Sequence, residues 1–97
     1  MTIIKNLLAI SAEELYIHLK KDFTVYINAK LDSNLRIDFS HVYDGINVLF
    51  PEVLEGTALT IVVTSEQITV SDNAKDSEYN TELLEKHLVD FITEQCS

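Results

Sequence analysis

The chain carries little punctuation: two glycines, one proline and one cysteine in 97 residues. So few glycines rule out a phosphate-cradling loop of the usual kind. The single thiol, Cys96, sits one residue from the C-terminus, so no internal disulfide can form and no oxidising compartment is implied. No activating motif surrounds it. Basic residues are scarce as well, seven lysines and arginines against sixteen acidic side chains, for a formal net charge of −9. The apolar run from Ile3 to Ile10 is broken by Lys5 and Asn6, which leaves it far short of a membrane span and without a small-residue cleavage site. These absences lead us to expect a soluble, cytoplasmic protein with no membrane contact.

Catalytic signatures are missing in the same way. No serine or cysteine lies in a nucleophile motif such as G-x-S-x-G. His87 and Asp90 stand at i and i+3 and could share a metal with His18, but a zinc site needs three or four converging donors and nothing supplies them at diagnostic spacing. Paired carboxylates would need a cleft, for which a small two-layer domain has little room. The expectation is a non-enzymatic protein with no metal and no cofactor.

What is present is apolar patterning. With 46% hydrophobic residues the chain suffices for one domain over 1–97, with a core that homodimerisation would supplement. Phe23 to Phe50 reads as three strands. Asp44-Gly45 between alternating apolar residues is a strong hairpin signal, pairing Tyr43 with Ile46, His41 with Val48 and Phe39 with Phe50. The same alternation, carried back through Asp32-Ser33-Asn34, puts Val25, Ile27, Ala29 and Leu31 on one face of a preceding strand. His41 then points inward.

Before this meander, Ser11-Ala12-Glu13-Glu14 is a capping box, and Ala12, Leu15, Tyr16 and Leu19 form the stripe of a helix ending near Lys21. Residues 2–10 fit either helix or strand. Pro51 to Gly56 reads as a short helical turn; one helix over 46–55 would carry proline in its middle, at a cost of ~3 kcal/mol. Thr57–Thr64 and Gln67–Asp72 form a second hairpin around a loop from Thr64 to Gln67. A second strong helix runs from about residue 78 or 80 to Gln95, with Leu84, Leu88, Phe91 and Ile92 on one arc. The expected fold is α+β, a two-layer sandwich of a five-stranded antiparallel sheet with helices on one face, in the order helix, three strands, short helical turn, two strands, helix.

The charge is unevenly placed. Residues 1–50 carry six acidic and five basic side chains, whereas residues 51–97 carry ten and two, so the second half holds −8 of the −9. Such a field disfavours direct contact with nucleic acid or anionic membrane and favours a basic protein partner. Glu78, Glu82 and Glu85 follow i, i+4 and i+7 on the last helix, and Asp72 and Asp76 lie in the approach to it. Val89 falls among these charges, and Leu83 lies off the core arc, which suggests an interface centre with a charged rim. The candidate binding residues are therefore Asp72, Asp76, Glu78, Glu82, Glu85 and Val89. A solvated helix face explains the same pattern.

Three short stretches resemble the small acidic type II anti-CRISPR proteins of phages: Lys21-Asp22-Phe23-Thr24-Val25, Asp32-Ser33-Asn34 and Ile68-Thr69-Val70-Ser71-Asp72. That resemblance implies a stoichiometric inhibitor, a nucleic-acid mimic whose acidic loop and helix occupy the basic groove of a nucleic-acid-binding enzyme. The five-strand count and the Pro51 segment depart from that family. The element order also resembles that of type III secretion chaperones, which implies instead a homodimeric interaction module working through apolar surface.

Overall fold

The computed structural model describes residues 2–32, 34–52, 54, 56–73 and 81–96. Five strands form one antiparallel sheet: β1 (Thr2–Lys5), β2 (Asp38–Val42), β3 (Gly45–Leu49), β4 (Leu59–Val63) and β5 (Gln67–Asp72), in the order β1-β5-β4-β3-β2. The helices are α1 (Ala12–His18), a π-helical turn (Leu19–Phe23), α2 (Thr24–Leu31) and α3 (Thr81–Cys96). Ile4, Ile46, Val48, Leu59, Ile61, Val63, Ile68 and Val70 all point to one buried face of the sheet. Helix α1 packs there over β2 and β3, and α3 over β5 and β1. The fold is thus α+β with two layers, as expected, but one strand is not where the pattern put it.

The segment Phe23–Leu31 is helix, continuing α1 through the π turn into α2. Its alternation is incidental, for Val25 is 73% exposed while Ile27 is fully buried. The governing period is four: Leu15, Leu19, Phe23 and Ile27 are each completely buried. A regular α-helix would rotate Ile27 about 120° away from Leu15, and the extra residue accommodated by a π turn brings that down to about 20°. The π turn therefore keeps all four side chains on one core. The fifth strand is instead Thr2–Lys5, which joins at the opposite edge beside β5, where Ile4 pairs with Ile68, and β2 is left as an edge strand.

The β2–β3 hairpin forms, but slipped by two residues. Val42 pairs with Gly45, His41 with Ile46 and Phe39 with Val48, so the turn residues are Tyr43 and Asp44. A slip of two preserves the faces. It moves Tyr43 from the expected inward position to a turn with φ 55°, 92% exposed, and lets Phe50 enter the core beyond the strand end. The Asp44 carbonyl accepts from the Val63 amide at 2.8 Å, which fastens this turn to β4.

Other local signals held. The Glu14 amide donates to Ser11 Oγ at 3.1 Å, as a capping box requires. Val63 pairs with Ile68 across a loop closed by the Thr64 amide on the Gln67 carbonyl. Around Pro51, the Leu54 amide reaches the Phe50 carbonyl at 2.9 Å, one turn of helical bonding, and the strand at Gly45–Leu49 excludes a helix over 46–55. Phe23, Tyr26 and Phe91 close the α2–α3 contact with ring centroids 5.3 to 6.2 Å apart.

Candidate functional site

Helix α3 is aimed by its apolar arc. Leu84, Leu88, Phe91 and Ile92 are buried, so the direction of every other side chain on the helix follows from its angle to that arc. Glu82 stands about 120° from Leu88 and is exposed, whereas Glu85 stands only about 60° away and is half-buried. The Glu85 Oε1 atom is out of contact with water and has no hydrogen bond among the described residues. Val89 is half-buried and packs against the core.

The expected acidic row is thus only partly assembled. Asp72 ends β5, half-buried, and its Oδ2 accepts from Thr81 Oγ1 at 2.7 Å, linking the strand to the first residue of α3. Asp76 and Glu78 lie outside the described residues. Val89 lies half-buried on the flank of the core. Leu83 keeps 37% of its surface exposed.

The exposed crest of α3 instead follows Glu82, Lys86, Asp90 and Glu94, each four residues after the last. Asp90 and Glu94 were absent from the sequence-based set. Their signal was available in the angle opposite the Leu84–Leu88–Phe91 arc, which is a better guide to exposure than acid-to-acid spacing. Beside them lies Tyr26 on α2, whose ring sits 5.4 Å from Phe91. Burial raises the Tyr26 phenol above its ordinary pKa, and the carboxylates of Glu94 and then Asp90 raise it further. The Lys30 ammonium, also on α2, lies 5.4 Å from the same ring.

The other face of the sheet has the opposite character. One row across it runs Ile3, Thr69, Val62, Gly45 and Val42, with Ile3, Val62 and Val42 at 57%, 43% and 52% exposure. The next row is Ser71, Thr60, Asn47 and Ser40. Only Lys5, on edge strand β1, and Asp38, on edge strand β2, bring charge to the described strands on this face. Asp38 Oδ1 lies 3.4 Å from Arg36 Nε in an exposed pair.

Sequence reasoning also passed over Asn6, which is 5% exposed. Its Nδ2 donates to the Ile10 and Thr64 carbonyls at 2.9 and 2.8 Å, and its Oδ1 accepts from the Ile10 amide at 3.0 Å. Nothing in an isolated asparagine next to an apolar run announces such a clamp. His41 does face the helical layer, with its ring 5.4 Å from that of Tyr16 and its Nε2 donating to the Tyr43 carbonyl at 2.7 Å. Among the described residues no three His, Cys, Asp or Glu side chains converge as metal ligands. A hollow of about 650 Å³ opens beside β1, lined by Ile3, Lys5, Asn6, Leu7, Glu66 and Gln67. No described helix is long and apolar enough to cross a membrane. Comparison with protein-family models, with curated proteins and with solved structures finds no match to this chain, so the functional reading rests on its own surfaces.

Proposed function

We propose that this domain is a non-enzymatic acidic binder that covers a basic surface on a protein partner. The observation that carries the reading is the exposed crest of α3, where Glu82, Asp90 and Glu94 face solvent with only Lys86 between them. Charge of one sign on a rigid helix steers a basic partner and fixes its register. The narrower form, in which the covered surface is a groove that otherwise holds nucleic acid, is what the anti-CRISPR resemblance implies. The charge density of α3 alone is lower than that of a nucleic acid. Four acids and one lysine over this helix amount to about one net charge per 8 Å of axis, against about one per 3.4 Å along a DNA strand. A nucleic-acid groove would therefore draw on the whole acidic half of the chain as well as on the crest.

The test is a pulldown from host lysate with the wild type and with the triple variant E82K/D90K/E94K, washed at low and at high salt. A basic partner that elutes with salt and is lost from the triple variant supports the reading, as screening and charge reversal both demand. Equal capture by the triple variant refutes it. Competition of the captured partner by duplex DNA then decides the narrower form.

A further inference from the structure

We propose that the outer face of the sheet is a homodimer interface, in which a second copy of this chain packs its own β1-β5-β4-β3-β2 face against the first. The inference is independent of the acidic-binder reading and uses the opposite side of the molecule.

The chain carries −9, yet the two central rows of this face carry no charge at all. Its two charged residues, Lys5 and Asp38, are of opposite sign and stand at opposite edges of the sheet. Two copies would repel one another through most other approaches, and across this face they meet without opposing like charges. Neutrality also separates the candidate occupants: a basic partner is drawn to the acidic helical side, whereas an uncharged face is matched by another uncharged face. A second copy brings the same uncharged face, and an isologous contact needs just such a self-complementary patch.

Composition and shape point the same way. Ile3, Val62 and Val42 are β-branched and lie in one register row, with Thr69 and Gly45 between them, so the row presents a low apolar ridge with no long side chain. Exposed apolar residues in contiguous rows mark interaction surfaces, whereas single ones do not. Leu7, 64% exposed beside Ile3 in the hollow next to β1, extends the patch at its rim. Five strands spaced ~4.8 Å apart and about five residues long give roughly 24 by 17 Å of sheet, about 400 Å² per copy. Two copies together would bury roughly 800 Å², less than a standard stable interface and in the range of weak, reversible ones, so the dimer is expected to be a weak one that fills only toward the top of a concentration series.

Sedimentation equilibrium of the full chain from about 5 to 500 μM, in 0.15 M and 1 M NaCl, tests this. The expected result is a reversible monomer–dimer equilibrium that persists in high salt, since salt screens the repulsion between acidic copies and leaves apolar burial intact. Val62→Arg, and separately Ile3→Lys on the edge strand, should each raise the dimer dissociation constant at least tenfold while circular dichroism shows the fold retained. Val25→Lys and Leu83→Lys, at exposed apolar positions away from this face, should leave it within twofold. A protein that stays monomeric at 500 μM in both salts overturns the proposal. So does a dimer that survives both face variants, or one abolished by Val25→Lys or Leu83→Lys.

Discussion

Asn6 is the residue whose replacement tests the account of the fold most directly. Its side chain makes three hydrogen bonds from a buried position, two to the backbone of Ile10 across the Asn6–Ile10 loop and one to Thr64 at the β4–β5 turn. Asn6→Ala removes all three and leaves the Ile10 amide and two carbonyls without partners. At about 1 kcal/mol of net stability per bond, and more where the abandoned group stays dry, the expected loss is about 3 kcal/mol. For a domain of this size that corresponds to a fall in Tm of about 12 to 24 °C. Asn6→Asp sharpens the test. Its carboxylate can still accept from the Ile10 amide, but its second oxygen meets the carbonyls of Ile10 and Thr64 where the amide nitrogen had donated to both. The charged form is therefore disfavoured in the folded state, and the folded pKa rises above the unfolded value of ~3.9. A raised folded pKa means the native state binds more protons, so stability is greatest below the unfolded pKa and is lost as pH rises through the folded one. Urea unfolding followed by circular dichroism between pH 3.5 and 7.5, with each variant referenced to wild type at the same pH, reads this. An Asn6→Ala variant within about 0.5 kcal/mol of wild type, the spread of an uninvolved surface change, refutes the clamp. So does an Asn6→Asp variant whose deficit shrinks as pH rises.

Three further outcomes are expected. Deleting Asp22, an exposed residue of the π turn, turns Leu19–Phe23 into regular α-helix while keeping Leu15, Leu19 and the shifted Phe23 and Ile27 on one side; it should cost under about 2 kcal/mol, whereas inserting an alanine there should cost over about 4 by rotating the buried half-stripe out of the core. Chemical denaturation distinguishes the two, and an unfolded deletion variant would sink the explanation of the π turn. Asp32 caps α2 with φ 51°, so Asp32→Gly should raise stability by about 0.5 to 1 kcal/mol, and a loss in the same unfolding assay would count against the cap geometry. Tyr26, raised by burial and by Glu94 and Asp90, should titrate at lower pH in the D90N/E94Q variant; because its folded pKa lies above the unfolded one, its contribution to stability is present below pH ~10 and fades as pH climbs through the folded value. An unchanged ultraviolet titration of Tyr26, isolated by comparison with Tyr26→Phe, would remove the electrostatic link between α2 and the crest.

Where signals were local, they could be read from the chain alone. The capping box at Ser11, the β4–β5 register and the arc of α3 each depend on residues within a few positions of one another. Phe23–Leu31 could not be read that way, because Val25, Ile27, Ala29 and Leu31 satisfy a two-residue period while Leu15, Leu19, Phe23 and Ile27 satisfy a four-residue one. Only tertiary burial chooses between them, and a strict period of four is itself concealed from a 3.6-residue template by the π turn. A clue was nonetheless present: no glycine or proline occurs between Ser11 and Asp44, so nothing stops the first helix at Lys21. The acidic surface was legible as a quantity and not as a direction. Counting charges located them in the second half, but the burial of Glu85 and the exposure of Asp90 and Glu94 follow from how α3 rolls onto the sheet.

The two proposed surfaces lie on opposite layers, and that makes them separable by experiment. A dimer joined through its sheets would carry one α3 crest outward on each side, presenting the acidic surface twice without blocking either copy. Val62→Arg should then abolish self-association and leave the affinity of a single copy for a basic partner unchanged, whereas E82K/D90K/E94K should do the reverse. Such sites are far enough apart, with no shared side chains, for their effects to add within about 0.5 kcal/mol. Measuring both properties in wild type, in each variant and in the combination closes the cycle. If Val62→Arg weakened partner binding by much more than the twofold that loss of a second equivalent crest allows, the sheet face itself would be contacting the partner, and the division of the molecule into an assembling layer and a binding layer would fail.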